Sequence, residues 1–245
     1  MTDIPVPQQV WWGHPLRELR WYGELARLLS DPIMRGRGVP HGDGRAVVLL
    51  PGFLASDQSL ALLARFLRRI GYQPIVCGIL FNSGCGRTFD QRMIARVIGA
   101  HQRTGRRVAV IGHSRGGQYA RSLAARYPEH ISHVITLAGA VADPLDVAVL
   151  TKRAAAMMRH TLTRRDAERR TLGCLSLTCQ CEFARGYHQP FPEHVRYTSI
   201  YSRTDGVVRW QACVADDVTC AEVPGTHLGM AFNRHAYREI ARALA

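Results

Sequence analysis

Apolar residues follow two rhythms along this chain. Between Trp11 and Asp31 they recur at helical spacing through Leu16, Leu19, Leu25 and Leu28, and Pro32 ends the pattern, so one N-terminal helix is expected there. A Gly-rich linker, Arg35 to Arg45, leads to the unbroken run AVVLL (Ala46 to Leu50), which suits a strand buried on both faces. Ser56 offers an N-cap to a helix over SDQSLALLARFLRRIG, and Gly71 ends it. The order then repeats: a strand from Pro74 to Leu80, the loop NSGCG, a helix from Thr88 to Arg103, and a strand in VAVIG from Val108. A further helix runs to Pro128, and HVITLAG (His133 to Gly139) forms the next strand.

Over residues 140–195 the alternation stops. Helical pieces and a Cys-rich segment fill this stretch, without a clear buried strand. It resumes with YTSIYS (Tyr197 to Ser202), a short strand near Cys220 to Val223, and a helix from Arg234 to Ala245. Strands and helices alternating at this spacing imply an α/β fold, with a doubly wound, mostly parallel sheet of about six strands flanked by helices. No internal repeat or low-complexity segment is visible. The 245 residues therefore read as one domain carrying an insertion over residues 140–195.

Composition changes this picture little. A hydrophobic content of 47% and a charged content of 21% are ordinary for a soluble globular chain. The net charge of +13 raises the question of an anionic partner. Lys152, however, is the only lysine among 32 basic residues, and the arginines spread from Arg17 to Arg242. The densest run, RHTLTRRDAERR, is broken by acids and carries no aromatics, and no nucleic-acid-binding motif accompanies it, so nucleic acid is not expected as a partner. No basic start followed by an apolar segment opens the chain, and no apolar run approaches membrane-spanning length. Seven cysteines fit reduced thiols in the cytoplasm, with Cys213 and Cys220 the pair best placed to be an exception.

The chemistry centres on GHSRGG. Its Ser114 lies where a buried strand meets a helix, at a strand's carboxyl end, where ligands gather in this class of fold. A lone G-x-S-x-G is weak, and glycines and serine also make plain turns. A serine hydroxyl needs a base, and an imidazole base needs an acid to fix its tautomer. In this architecture the chain order is Ser, then Asp or Glu, then His. Asp205 in SRTDGVV and His227 in PGTHLGM satisfy that order, each just after an expected strand.

Together GHSRGG, SRTDGVV and THLGM resemble the α/β-hydrolase serine esterases and lipases, small bacterial ones above all, and PGFLAS resembles their oxyanion loop. The likeness covers about residues 45 to 245. It implies Ser114 as nucleophile, His227 as base and Asp205 as its acid. Backbone N–H groups of Phe53 and Arg115 would hold the oxyanion. It further implies a carboxylester substrate and neither metal nor organic cofactor. Pro51 stands where such enzymes often have His, and Arg115 where Leu, Met or Gln is usual.

Rivals remain at several positions. Asp217, inside Cys213-VADDVT-Cys220, is a second candidate acid, although strand-then-TDG favours Asp205; whether those cysteines pair stays open. His113 adjoins the nucleophile and is expected to pack beside the site, and the other nine histidines read as surface or capping residues. Cys174, Cys179, Cys181 and His188 lack a usual zinc spacing. Residues 147–162 could form an amphipathic cap helix, with Met157 and Met158 facing an acyl chain, or an ordinary core helix. The same triad would also serve an acyltransferase or a thioesterase. A non-catalytic binding protein is disfavoured because all three members are present.

Overall fold

The computed structural model describes residues 11–83, 86–162 and 181–245. Six parallel strands form one sheet in the order β2-β1-β3-β4-β5-β6. They are β1 (Ala46–Leu50), β2 (Gln73–Val76), β3 (Val108–His113), β4 (Ile131–Leu137), β5 (Arg196–Tyr201) and β6 (Thr219–Glu222). Helices flank the sheet: α1 (Pro15–Glu18), α2 (Trp21–Ser30), α3 (Ala61–Arg69), α4 (Gly86–Thr104), α5 (Arg115–Arg126), α6 (Val149–Leu162), α7 (Glu182–His188) and α8 (Arg234–Leu244).

Successive side chains of a strand point to opposite faces, and the central strands feed two cores accordingly. Val47, Leu49, Ala109 and Ile111 join α2, α3 and α8 in one core. Ala46, Val48, Leu50, Val108 and Val110 join α4, α5 and α7 in the other. This double burial is why β1 and β3 read as continuous apolar runs. Helix α8 presents Ala236, Tyr237, Ile240, Ala241 and Leu244 inward. The Asn233 side chain caps it by accepting the N–H groups of His235 and Ala236 at 2.8 and 3.3 Å, an arrangement worth about 1 kcal/mol.

Three expected elements differ. The single N-terminal helix is two, α1 and α2, separated by a turn at Leu19–Arg20. Leu16 and Leu19 face solvent, whereas Leu28 is fully buried and the polar Glu18 points inward. The helix expected from Ser56 starts with a 3-10 turn, Asp57–Leu60, before α3. Strand β2 ends at Val76 rather than Leu80, because Asp57 Oδ2 accepts the N–H groups of Gly78 and Ile79 and Gly78 turns left-handed at φ 73°. The 140–195 stretch supplies α6 and α7, with α6 spanning most of the expected 147–162 helix.

Candidate active site

The turn between β3 and α5 carries Ser114 at φ 53° and ψ −121°. Ser114 N–H donates to the Leu137 carbonyl at 2.8 Å, and its own carbonyl accepts from Gly117 N–H at 2.8 Å. So tight a turn leaves no room for side chains beside it. A Cβ at Gly116 would run into the Leu50 carbonyl, and one at Gly112 into the Gly116 carbonyl. Among the described residues the non-glycine positions with positive φ are Leu54, Ser114 and Ala138. Each belongs to this region, since Leu54 follows Phe53 and Ala138 directly follows β4; unfavourable backbone of this kind gathers at functional sites.

His227 and Asp205 arrive from the carboxyl ends of neighbouring strands. Ser114 Oγ lies 2.9 Å from His227 Nε2, and His227 Nδ1 lies 2.7 Å from Asp205 Oδ2. The second oxygen of Asp205 accepts the N–H groups of Val207 and Val208, each at 2.8 Å, which fixes the carboxylate. Both partners are buried. Burial alone would lower the His227 pKa, but the Asp205 charge and hydrogen bond, with the Glu18 charge, outweigh it and raise the pKa above the ordinary imidazole value. Asp217 is exposed and apart from this cluster.

His113 packs beside the site, as expected. Its Nε2 lies 2.9 Å from the His227 carbonyl, with the two rings 5.2 Å apart. Burial, then the nearby His227, push the His113 pKa down to about 4. A neutral His113 with its proton on Nε2 can donate that bond.

Phe53 borders the serine, and its loop is held from behind by Asn82, a fully buried residue that sequence reasoning left in a Gly-rich loop. Asn82 Nδ2 donates to the Pro51 carbonyl at 2.9 Å, and Tyr119 O–H donates to Asn82 Oδ1 at 3.1 Å. Leu54 N–H donates to the Asn82 carbonyl, and Asn82 N–H to the Ala55 carbonyl, both at 2.9 Å. The Arg115 side chain is 4% exposed and turns inward, its guanidinium 5.8 Å from the Phe53 ring centroid and 5.4 Å from that of Tyr119. It packs under the loop rather than facing a substrate.

Ser114 and His227 open on a cavity of about 340 Å³. Trp21, Phe53, Val207, Leu228, Ala231 and Phe232 give it apolar walls, and Thr151 of α6 reaches it. Met157 is exposed and does not line the cavity, against expectation, and the side chain of Met158 lies outside the described residues. Cys213 and Cys220 are separate thiols, one buried and one exposed. Cys174 and Cys179 lie outside the described residues, and no His/Cys/Asp/Glu cluster suited to a metal occurs among those described. No described helix is long and apolar enough to cross a membrane.

Glu18 is the residue that sequence reasoning missed most completely. Its Oε1 accepts the N–H groups of Gly206 and His227 at 2.9 and 3.1 Å, and its Oε2 accepts that of Leu228 at 2.8 Å. Glu24 similarly accepts from Thr226 N–H at 2.9 Å. No local pattern announces either contact, because their partners lie some 200 positions away.

The sequence profile of the alpha/beta hydrolase fold matches residues 45–179. The chain belongs to that family. No curated protein matches it in sequence. A lipase of Bacillus licheniformis in its mature form superposes with a TM-score of 0.60 at 14% identity, over 85% of this chain and 95% of that one. The carboxylesterase CesB of Bacillus subtilis gives 0.55 at 13%, over 94% and 99%. A soluble variant of monoglyceride lipase from Saccharomyces cerevisiae gives 0.55 at 13%, over 84% and 89%. At these identities the likeness establishes the fold.

Proposed function

We propose that this protein is a serine hydrolase that cleaves carboxylic esters through an acyl-enzyme on Ser114. The observation that carries the reading is the unbroken relay from Ser114 Oγ through His227 to Asp205, at 2.9 and 2.7 Å, opening on an apolar cavity. Similarity in fold to esterases and lipases supports it. His227 Nε2 takes the Ser114 proton as Oγ bonds to the ester carbonyl carbon. Backbone N–H groups of Phe53 and Arg115 receive the oxyanion, a contribution of about 3 kcal/mol per donor in such sites. His227 then returns the proton to the departing alcohol oxygen. Water, deprotonated by His227, releases the acid and restores the serine.

Asp205 holds Nδ1–H so that Nε2 faces the serine, and its charge stabilises the transient imidazolium. A cavity of about 340 Å³ is near the lower end of small-molecule sites. It suits an ester with a compact apolar acyl or alcohol group. From the 140–195 insertion, α6 serves as the cap, through Thr151 at the cavity wall.

Short p-nitrophenyl esters test the reading. Wild-type protein should hydrolyse them and take up a fluorophosphonate at Ser114, detected by peptide mass. Ser114→Ala should lose both while keeping its circular dichroism. Hydrolysis retained by Ser114→Ala would overturn the assignment, and products formed with an added alcohol would identify acyl transfer.

A further inference from the structure

Glu18 is 6% exposed, and among the described residues no ion pair reaches it. A carboxylate taken out of water is tolerated only when its oxygens are satisfied. Here the satisfying groups are three backbone N–H donors, and where they sit is informative. Gly206 directly follows Asp205; the second donor is His227 itself, and Leu228 comes next. One side chain from α1 therefore grips the acid loop and the base loop together. Gly206 leaves room for it, since a Cβ there would lie 2.8 Å from Glu18 Oε1.

We infer that Glu18 is a positioning residue for hydrolysis, clamping the Asp205 and His227 loops in register and adding a second negative charge beside the imidazole. This rests on the proposed roles of Ser114, His227 and Asp205. Other contacts join the same two loops, because the hydroxyls of Ser202 and Thr204 both donate to the Gly225 carbonyl. Loss of Glu18 should accordingly loosen the relay without unfolding the chain. The ionisable groups around His227 are Asp205 from the loop after β5, His113 from β3, Glu18 from α1 and Glu24, one residue removed, from α2. Of these, Asp205 and Glu18 favour the imidazolium, whereas His113, its own pKa pushed down to about 4, stays neutral beside it.

Glu18→Gln and Glu18→Asp separate the two effects. Glutamine removes the charge and turns a donor toward one of the three N–H groups. Aspartate keeps the charge but falls short in reach. For Glu18→Gln, kcat with a p-nitrophenyl ester should fall by up to about a hundredfold, the scale of a small misplacement of reacting groups. KM should stay within about threefold, since the cavity walls are untouched. The His227 titration, followed by NMR of the imidazole protons, should move to lower pH. Glu18→Asp should lose kcat while its His227 titration stays closer to wild type.

Unchanged kcat and titration in both variants would overturn the inference. So would a kcat loss that only tracks the folded fraction measured by circular dichroism, with wild-type titration in the folded molecules. Because the titration needs no substrate, a wild-type protein that hydrolyses no ester would refute the catalytic reading separately from the clamp.

Discussion

His133 makes the fold sensitive to acid in a calculable way. It sits on β4 at 1% exposure, with Nε2 2.9 Å from Thr198 Oγ1 of β5. Burial first, then the charges of Arg196 and Arg45, push its pKa down to about 3. The unfolded chain binds that proton near pH 6.5. Folding thus favours the neutral ring: the contribution is complete above pH 6.5 and is lost as pH falls from there toward 3. Between pH 8 and pH 5 the loss is about 2 kcal/mol from this residue. His113, held at about 4, loses a similar amount over the same window, while the raised His227 pKa works the other way and offsets part of it. Against a total stability of about 5–15 kcal/mol, these are large terms.

His133→Gln keeps a polar partner for Thr198 and removes the titration. Urea unfolding at pH 8, 6.5 and 5 should show the variant less stable than wild type at pH 8, with the gap closing by about 2 kcal/mol at pH 5. In melting temperature the closure is about 4–8 °C for a chain of this size. Parallel stability curves for the two proteins across this range would refute the argument.

The other outcomes concern the relay and the turn. Asp205→Asn should cut kcat about ten-thousandfold with the fold intact, because the amide favours the wrong tautomer, whereas Asp217→Asn should hydrolyse esters at the wild-type rate; the reverse order would reassign the acid. Gly116→Ala, whose methyl group meets the Leu50 carbonyl, should cost about 3 kcal/mol or more. Gly99→Ala, in α4 with only the tip of Arg103 nearby, should instead gain up to about 1 kcal/mol, and thermal melts of the pair would show both signs.

The sequence was legible where chemistry and local pattern coincide. AVVLL and VAVIG are apolar throughout because both faces of their strands are covered, so they identify the sheet's centre. Ser114, Asp205 and His227 stand just beyond strand ends, and the hydrogen bonds between them follow from a parallel sheet that brings those ends together. The edge was harder to read: β2 is only half-covered, and a side chain 21 positions away, Asp57, decides where it stops. Leu16 and Leu19 misled because helical spacing says nothing of a break that turns Glu18 inward. Asn82 and Glu18 act on partners far off in the chain, and a polar residue of that kind carries no signature until its partner is seen.

Ser114 holds a backbone shape that an L-residue adopts at a cost of about 1–3 kcal/mol, whereas glycine adopts it freely. Stability and activity therefore compete for one codon. A library of this protein screened only for heat resistance should enrich Ser114→Gly and become inert as it becomes robust. If Ser114 is the nucleophile proposed, a screen for turnover should push this position the other way, against the preference of the fold. On the proposed reading, use and not architecture is what favours a serine here.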